Sequence, residues 1–462
     1  MHPGRIKKII DTFPLVRKKY ILYWMQQSQR VHYNHALNHA IELANQLQLP
    51  VLVFFGIDDS FPEANLRHFQ FMLEGIYEIK NLLSQLGITF VMELGNPIEK
   101  IKTYLADASL LVCDMGYTRL QRKWRQELYK LTYREYRLNI DQVESDLIVP
   151  IQKASEKCEY GAYTLRPKIM KQYQHYRDFH KLTVVKNQEI IVCPNQFAKV
   201  TLVELLNQLS LDRSVGPSTI YHGGYQEASN HFIKFLLDFA NDYPNSSDPS
   251  KNQTSKMSMY LHFGQISALE LLERITLAFD MGQVSKEAYD AFVEQLLVRR
   301  ELAFNYIYYN DQYDQFDGMT EPWAYQTMRE HLRDERQYIY TLHELEHALT
   351  HDIYFNAAME EMSHTGFMQN YMRMYWAKKI IEWSLTYEEA YERIQYLNNK
   401  YFIDGRDANS FAGVAWCFGK HDRAWSERPI FGKLRYMNEA GLVRKFDMEN
   451  YIKLVTNFKQ VS

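Results

Sequence analysis

The sequence predicts an α/β domain with a parallel, Rossmann-like sheet, followed by an all-helical domain. Its 462 residues exceed the ~250–300 residues at which a single hydrophobic core stops growing. Short apolar segments alternate with helical patterns in the first part of the chain, whereas helical patterns dominate after about residue 190. We therefore expect an α/β domain over residues 1–185, a linker over 186–230 and a helical domain over 231–462.

Four short segments of the first region are typical of buried parallel strands, because they are continuous runs rich in β-branched and aromatic residues. They are YILYWM (20–25), VLVFFGID (51–58), ITFVMEL (88–94) and SLLVCDMG (109–116). Between them, apolar residues recur at helical spacing over residues 33–47, 65–87 and 97–108. This alternation predicts a doubly wound sheet. No GxGxxG motif follows a strand, so the usual dinucleotide fingerprint is absent.

The second half of the chain is predicted to be helical. A polar stretch at residues 207–230 is typical of a surface connection, and another at 241–255 interrupts the helical pattern. Apolar residues at helical spacing then predict helices over 266–282, 287–310, 324–339, 356–366 and 368–385.

Composition narrows the class of protein. The net charge of −3 excludes a uniformly basic nucleic-acid-binding chain but allows a local basic surface. No apolar run reaches the ~18 residues of a membrane span, so we expect a soluble protein of the cytoplasm or nucleus, with a monomer as the default. The cysteines stand far apart without a CxxC pair, which is typical of reduced intracellular thiols; they are Cys113, Cys158, Cys193 and Cys417.

The segment HELEH at residues 343–347 matches the HExxH motif of zinc peptidases. On a helix, His343 and His347 would share a face and bind Zn²⁺, with Glu344 as the general base. The extended motif fails, because Thr350 and Ile353 stand where a glycine and a third histidine are needed. A zinc peptidase is therefore an alternative hypothesis, and a solvated helix is the default interpretation.

Hydroxyl residues lead into a predicted helix at 254–267. Thr254, Ser255 and Ser258 stand at its start, where hydroxyl and free N–H groups can hold a phosphate. An ordinary helix cap explains the same pattern.

The predicted helix over 368–385 carries Trp376 and Trp383, seven residues apart. Seven residues make almost two full turns, a rise of about 10.5 Å, so the two indoles share a face. Arg373 lies near that face, and a buried arginine needs an acidic partner, which the Asp- and Asn-rich segment 396–416 can supply. Two core aromatics are the default, but indoles in line with a paired arginine favour a redox-active aromatic cofactor.

Residues 406–445 carry eight basic and four acidic residues, with Trp416, Trp425, Phe431 and Tyr436 interleaved. Cations for phosphates together with aromatic rings for bases are typical of nucleic-acid binding, although a solvated basic face is the alternative. The basic residues are Arg406, Lys420, Arg423, Arg428, Lys433, Arg435, Arg444 and Lys445.

Six segments, in order and along nearly the whole chain, resemble class II cyclobutane pyrimidine dimer photolyases of the photolyase/cryptochrome family. They are residues 22–36, 254–267, 294–305, 368–383, 396–407 and 413–438. The most specific are MRMYWAKKI, DGRD and ERPIFGK, which begin at Met372, Asp404 and Glu427.

The resemblance implies an α/β antenna-type domain, a linker and a helical domain that binds FAD, active as FADH⁻. It implies light-driven repair of pyrimidine dimers in UV-damaged DNA, by electron transfer to a dimer flipped out of the duplex. A second, antenna chromophore of the deazaflavin type is left open. A cryptochrome-like blue-light photoreceptor without repair activity is the alternative function.

Matching positions imply the residues that bind the cofactor. Arg373 and Asp404 match an ion pair beside the isoalloxazine ring, and Asn398 matches the amide near flavin N5. In the family, one stretch holds the FAD phosphates, and the matching residues of this sequence are Thr254, Ser255, Lys256, Met257 and Ser258. The remaining positions of the cofactor-binding motif are Arg406, Asp407 and Asn409.

Other matches imply contacts with the substrate. Met374 and Trp416 match residues that line the dimer pocket, and either Glu294 or Glu301 would bind the thymine carbonyls. The expected contacts with DNA are Arg423, Arg428, Lys433 and Arg435.

Trp376 and Trp383 match members of the chain that carries electrons to oxidised FAD. The family's intermediate tryptophan is replaced by Phe355, and benzene is harder to oxidise than indole. We therefore predict impaired photoreduction by this route, unless a tyrosine such as Tyr354, Tyr371 or Tyr375 substitutes.

Overall fold

The computed structural model describes residues 2–177 and 181–461. Six strands form one sheet in the order β1-β6-β5-β2-β3-β4. Their bounds are Ile6–Ile10 (β1), Tyr20–Trp24 (β2), Val51–Ile57 (β3), Thr89–Leu94 (β4), Ala108–Asp114 (β5) and Ile140–Val143 (β6). Strands β2 to β6 are parallel, while β1 runs antiparallel to β6. The four predicted strands are confirmed as β2, β3, β4 and β5.

Helices cover both faces of the sheet, which explains why its central strands are apolar throughout. Ile21 and Tyr23 of β2 belong to a core with the first two helices, whereas Leu22 and Trp24 belong to a core with the next two. Those helices are α1 (His35–Leu47), α2 (Leu66–Gln85), α3 (Pro97–Leu105) and α4 (Arg119–Leu131). The doubly wound arrangement predicted from the sequence is confirmed.

Helices dominate the rest of the chain, as predicted, and two large apolar cores lie among them. Before the second polar stretch come α5 (Ile151–Ala154), α6 (Ala162–Gln172), α7 (Leu202–Gln208) and α8 (Tyr225–Asp238). After it come α9 (Ser258–His262), α10 (Ala268–Asp280), α11 (Lys286–Val293), α12 (Arg300–Tyr309), α13 (Pro322–Glu330) and α14 (Leu342–Glu346). The last helices are α15 (Ile353–Thr365), α16 (Asn370–Trp383), α17 (Tyr387–Tyr401), α18 (Ala408–Cys417), α19 (Glu439–Lys445) and α20 (Met448–Val461).

Two helix predictions differ from the structure. The helix predicted over 287–310 contains a π-helical turn, Glu294–Arg299, between α11 and α12, a feature that often marks functional sites. The helix predicted over 324–339 is too long, because α13 ends at Glu330. Beyond it, Asp334 bonds the His331 ring at 2.7 Å and accepts a 2.7 Å hydrogen bond from the backbone N–H of Ile430. The contact with Ile430, in a distant segment, prevents the helix from continuing through Asp334.

The segment predicted as a linker runs along the α/β domain before it reaches the helical domain. The Ile191 N–H donates to Thr89 Oγ1 at 2.9 Å, and Asn195 Nδ2 donates to the Phe90 carbonyl at 2.9 Å. It includes the short helix α7 and the start of α8. The two predicted domain boundaries, after residues 185 and 230, stay predictions.

A buried ionic cluster joins the two halves of the molecule. Arg300 Nη2 on α12 donates to Asp146 Oδ2 at 3.0 Å, and Arg30 Nη1 lies 3.6 Å from Asp146 Oδ1. Glu301 accepts a 2.6 Å hydrogen bond from the backbone N–H of Ile148. Because these contacts are buried and join charged or polar groups of both halves, they fix α12 against the α/β domain. Within the described residues, no helix is both long and apolar enough to cross a membrane.

Candidate functional site

Arg373 and Asp404 form the centre of the candidate site. Arg373 lies on α16 and Asp404 in the turn between α17 and α18. The guanidinium donates hydrogen bonds of 3.0 and 3.2 Å to the two carboxylate oxygens, and it lies 3.8 Å from the centre of the Phe402 ring. A bidentate pair holds a planar cation in one orientation. The structure therefore brings together the two residues that the sequence paired.

Lys256, immediately before α9, is a buried cation beside this pair. Its Nζ lies 3.7 Å from the centre of the Phe367 ring, and its backbone φ is +58°. Burial lowers the pKa of Lys256, the negative charge of Glu361 opposes this, and the positive charge of Arg373 lowers the pKa further. The buried Thr254 Oγ1 has no hydrogen-bond partner among the described residues. A desolvated ammonium and an unsatisfied hydroxyl suit a bound anion, so these residues fit the phosphates of a cofactor.

The other predicted residues of this stretch surround Lys256 in the chain. Met257 is buried, Ser255 is half-buried and Ser258 is exposed at the first position of α9. A helix of five residues offers few free N–H groups of its own, so the buried lysine is the main cationic group here.

Trp376 and Asn398 lie within the same buried region. The Trp376 ring packs edge-on against Phe402 at 6.4 Å between centroids, and its Nε1 has no partner among the described residues. Asn398 Nδ2 donates to Asn399 Oδ1 at 3.0 Å and also to the Ser410 hydroxyl. These bonds fix the amide of Asn398 in one orientation.

Trp383, at the end of α16, is buried and ringed by aromatic groups. Phe355 lies 5.1 Å away, edge-on, at the position of the expected tryptophan. Tyr340 lies at the same distance, and its hydroxyl bonds His351 Nδ1 at 2.6 Å. Tyr340 was missed by sequence reasoning, because nothing in the local pattern indicates its contact with Trp383.

An alternating stack of cations and indoles, here called the Trp–Arg ladder, consists of Trp416, Arg435, Trp425 and Arg423. The Arg435 guanidinium lies 4.8 Å from the Trp416 ring centre and 4.3 Å from that of Trp425, and Arg423 lies 5.1 Å from Trp425. Asp422 Oδ2 accepts hydrogen bonds from Arg435 Nε at 3.1 Å and Trp425 Nε1 at 3.2 Å. One carboxylate therefore orients the two central members of the ladder, Arg435 and Trp425.

Comparisons with known proteins identify the family of this chain. The DNA photolyase family model matches residues 21–186. A deoxyribodipyrimidine photo-lyase of Methanothermobacter thermautotrophicus is 43% identical over 455 residues, covering 98% of each chain. This chain belongs to the photolyase/cryptochrome family. Proteins of the same name from Arabidopsis thaliana and Potorous tridactylus are 38% and 35% identical and cover 96% and 94% of this chain, and 90% and 81% of their own.

Solved structures of the photolyase/cryptochrome family share the fold. A class III photolyase from Agrobacterium tumefaciens superposes with a TM-score of 0.74 at 15% identity, covering 96% of this chain and 87% of its own. A Synechocystis cryptochrome gives 0.72 at 14% identity, with 96% and 89% covered. An archaeal photolyase from Sulfolobus tokodaii, whose structure contains two FAD molecules, gives 0.69 at 16% identity, with 94% and 89% covered. The predicted fold class is confirmed.

The two glutamates proposed for the thymine carbonyls lie in different surroundings. Glu301 is buried between the domains, where Ile148 and Val149 donate to it, and burial raises its pKa to about 8. Glu294 is partly exposed and accepts hydrogen bonds of 2.8–2.9 Å from Arg166 and Arg299. Burial acts to raise the pKa of Glu294, but these arginines outweigh it and lower the pKa. Of the two, Glu294 is the one that an external group can approach.

The other predicted DNA and dimer contacts lie near the ladder or on α16. Arg428 lies 5.1 Å from the Tyr436 ring, and the backbone of Lys433 accepts a 2.9 Å hydrogen bond from Trp425. Met374 follows Arg373 on α16 and is partly buried.

Arg406 and Asp407 line a cavity shared with the α/β domain, whereas Asn409 is exposed in the first turn of α18. Arg406 Nη1 donates to the Asn399 carbonyl at 2.6 Å and to the Glu63 carbonyl of the α/β domain at 3.3 Å. Asp407 accepts the Asn409 N–H at the start of α18. The structure thus gives Arg406 and Asp407 contacts that stabilise the fold, and their cofactor role stays a prediction.

A cavity of about 130 Å³ lies at the carboxyl ends of β2 and β3, the edge of an α/β sheet where ligands bind. Arg406, Asp407 and His262 close it from the helical side. Its other walls carry aromatic and amide side chains, including Trp24, Gln26, Gln29, Phe61, Gln121 and Trp124. Gln26 Nε2 and Gln29 Oε1 are buried without a partner among the described residues.

The HELEH segment forms a short surface helix. The Glu344 carboxylate accepts hydrogen bonds from the Thr341 N–H at 2.7 Å and the Thr341 hydroxyl at 2.8 Å, so it caps α14. The rings of His343 and His347 stack at 4.2 Å. Elsewhere in the described chain, too, no three His, Cys, Asp or Glu side chains converge as a metal site would require. The geometry does not favour the zinc peptidase hypothesis.

Proposed function

We propose that this protein is a class II deoxyribodipyrimidine photo-lyase, an enzyme that uses light to split cyclobutane pyrimidine dimers in DNA. The observation that carries the proposal is the arrangement along α16. Arg373 binds Asp404, Trp376 packs on Phe402, and Trp383 ends the helix among aromatic rings. One rigid helix thus places a cofactor-binding cation and two oxidisable indoles in line. Relatives named deoxyribodipyrimidine photo-lyase, 43% to 35% identical along nearly the whole chain, support the same conclusion.

The cofactor is FAD. Thr254 and Lys256 would hold its phosphates, with Ser255, Met257 and Ser258 beside them, while Arg373, Asp404 and Asn398 would hold the flavin ring. When bound in its reduced anionic form, FAD supplies the light-excited electron that opens the cyclobutane ring and takes that electron back.

The chain's own residues provide charge and orientation. Arg373 supplies a planar guanidinium with several N–H donors, and Asp404 fixes the plane of that group. The oriented amide of Asn398 can donate to or accept from a ring nitrogen. The buried Lys256 offers an anion a site from which water is largely excluded, where an ionic contact is stronger than in water.

The Trp–Arg ladder forms the surface for damaged DNA. A flipped pyrimidine dimer leaves the duplex at a small cost because it stacks poorly, and the indole of Trp416 offers it a flat surface. Stacking on an aromatic ring contributes ~1–3 kcal/mol per base. Arg423, Arg428 and Lys433 would bind the adjoining phosphates. For the thymine carbonyls we favour Glu294 over Glu301, with Met374 in the pocket wall.

The cavity at the carboxyl ends of β2 and β3 would hold the second chromophore left open by the sequence. Its aromatic walls suit a flat heterocycle such as a deazaflavin, and the unpartnered Gln26 Nε2 and Gln29 Oε1 suit the polar edge of one. A monomer acting in the cytoplasm or nucleus stays a prediction from the sequence.

The test is a dimer-repair assay on the purified protein. The absorption spectrum first establishes whether a flavin is bound. The reduced protein is then mixed with a UV-irradiated oligonucleotide and exposed to blue light, and we expect dimers to disappear only in the illuminated sample. A flavin-containing protein that leaves the dimers intact would instead support the photoreceptor alternative.

A further inference from the structure

A pocket of about 380 Å³ lies between the start of α16 and the segment that leads into α19. Its volume is within the usual range for small-molecule sites. It is lined by Tyr371, Tyr375, Tyr436, Met437, Asn438, Gly441, Arg444 and Lys445. None of these described lining residues is acidic, and two of them, Arg444 and Lys445, are basic.

Four polar side chains of this pocket form no hydrogen bond or ion pair with the described residues. Arg444 and Lys445 end α19 and are exposed, and neither forms a hydrogen bond or ion pair with another described residue. The same is true of the Tyr371 and Tyr436 hydroxyls. Lys445 Nζ lies 4.5 Å from the centre of the Tyr371 ring, so the ammonium and this ring face the same space. Two cations and two free hydroxyls without a carboxylate between them suit an anion.

Two carboxylates, Asp352 and Glu439, act on Tyr375 of the pocket lining, but neither forms an ion pair with Arg444 or Lys445. Asp352 is engaged by the Tyr375 hydroxyl at 2.5 Å and lies 3.7 Å from Lys379 Nζ. Glu439 is exposed in the first turn of α19, at the opposite end of that helix from Arg444. The lining therefore keeps an excess of positive charge.

The pocket is continuous with the Trp–Arg ladder. Tyr436 follows Arg435 in the chain, and its ring packs edge-on against Phe431 at 4.9 Å. Burial raises the pKa of Tyr371, while the positive charge of Arg435 opposes this, so the two side chains lie within electrostatic reach of each other. An anion in this pocket would therefore adjoin whatever stacks on Trp416.

We propose that this pocket binds a phosphodiester of the damaged strand next to the flipped dimer. Arg444 and Lys445 neutralise the phosphate, and the hydroxyls of Tyr371 and Tyr436 donate hydrogen bonds to its oxygens. This inference rests on the proposed function, because the ladder is a DNA surface only if the protein binds damaged DNA. The combination of cations with aromatic rings favours a nucleic-acid strand over a bare anion.

The test measures how the affinity of the dark, flavin-containing protein for a dimer-containing oligonucleotide depends on salt. Each lost phosphate contact lowers the slope of log K against log salt by about 0.7–0.9, which near 0.1 M salt corresponds to a loss of affinity of about five- to tenfold. For Arg444→Gln/Lys445→Gln we expect a slope smaller by about 0.7–0.9, the loss of one phosphate contact, whereas Arg444→Lys/Lys445→Arg, which keeps both charges, retains the slope. The matched control is Arg134→Gln/Lys234→Gln, which removes one exposed arginine and one exposed lysine elsewhere and is expected to bind as the parent protein does.

Equal slopes for Arg444→Gln/Lys445→Gln and the parent protein overturn the proposal, even if inorganic phosphate at constant ionic strength binds the parent. That result would make the pocket a site for free phosphate rather than for DNA. Retained flavin absorbance and an unchanged melting temperature show that the variants are folded. If the parent protein does not bind dimer-containing DNA, the proposed function itself is contradicted. If the parent repairs dimers but the salt slope of the Arg444→Gln/Lys445→Gln variant is unchanged, only this inference is contradicted.

Discussion

The sharpest prediction concerns the buried Lys256 and the buried Glu361 that faces it. The Glu361 carboxylate accepts a 2.7 Å hydrogen bond from the Tyr451 hydroxyl of α20, and its charge acts on Lys256. Both groups are buried, so each is costly to leave charged and alone. We predict that Lys256→Met and Lys256→Met/Glu361→Gln weaken FAD binding alike, but that only Lys256→Met destabilises the apoprotein.

The magnitudes follow from burial. Loss of one charge-assisted hydrogen bond costs ~1.5–3 kcal/mol, which corresponds to ~10- to 100-fold weaker FAD binding. In the apoprotein, Lys256→Met alone leaves Glu361 without a nearby ammonium. Breaking a buried pair costs ~3–5 kcal/mol. Because Tyr451 and Arg373 still act on Glu361, we expect the fold to be destabilised by up to ~3 kcal/mol, the lower end of this range. Replacing both charges is neutral or stabilises by ~1–4 kcal/mol.

Two measurements check this prediction. Fluorescence titration of the apoprotein with FAD gives the dissociation constant, and urea unfolding of the apoprotein gives the free energy of unfolding. Tyr451→Phe is the control, because it removes a hydrogen bond from Glu361 but leaves Lys256 in place. The reasoning is refuted if either Lys256 variant binds FAD as tightly as the parent protein.

Three further predictions follow from other parts of the structure. Phe355→Trp should speed photoreduction of oxidised FAD, because an indole then stands about where the Phe355 ring lies, 5.1 Å from Trp383. It should also lower the stability of the fold by ~1–3 kcal/mol, because it overpacks a fully buried site. An unchanged rate in transient absorption would count against the Phe355 explanation. Asp422→Ala should weaken binding of dimer-containing DNA about tenfold, because Arg435 and Trp425 lose the carboxylate that orients them; an unchanged dissociation constant would show that the ladder needs no such support. Glu301→Gln should flatten the pH dependence of the free energy of unfolding. Burial raises the pKa of Glu301 in the folded state to about 8 from 4.5. The parent protein therefore loses stability as the pH rises through this window, by up to ~1.4 kcal/mol per pH unit for this one group. Parallel stability profiles for the two proteins would contradict that assignment.

Much of the fold was predictable because burial leaves a simple pattern. Strands β2 to β5 are covered on both faces, so they appear as continuous apolar runs. The outer strands β1 and β6 were missed, since Lys7 and Lys8 interrupt the first and Asp141 and Gln142 the second. The end of α13 was missed as well, because contacts of Asp334 with a distant segment decide it.

In the site, too, features with a local sequence pattern were predictable, and features decided by distant contacts were not. The face of α16 and the Asp- and Asn-rich segment 396–416 indicated an acidic partner for Arg373, and the family resemblance indicated that this partner is Asp404. Contacts between distant segments carry no local signal, and so the packing of Tyr340 on Trp383 and the placing of Arg406 against the α/β domain emerged only from the structure.

The most direct test of the account is the number of dimers split per absorbed photon by the reduced protein under blue light. A bound, reduced flavin beside a flipped dimer predicts efficient splitting, with a strong loss in a Trp416→Ala variant that still carries the flavin. A reduced, flavin-loaded protein that binds dimer-containing DNA yet splits no dimers on illumination would contradict the central claim.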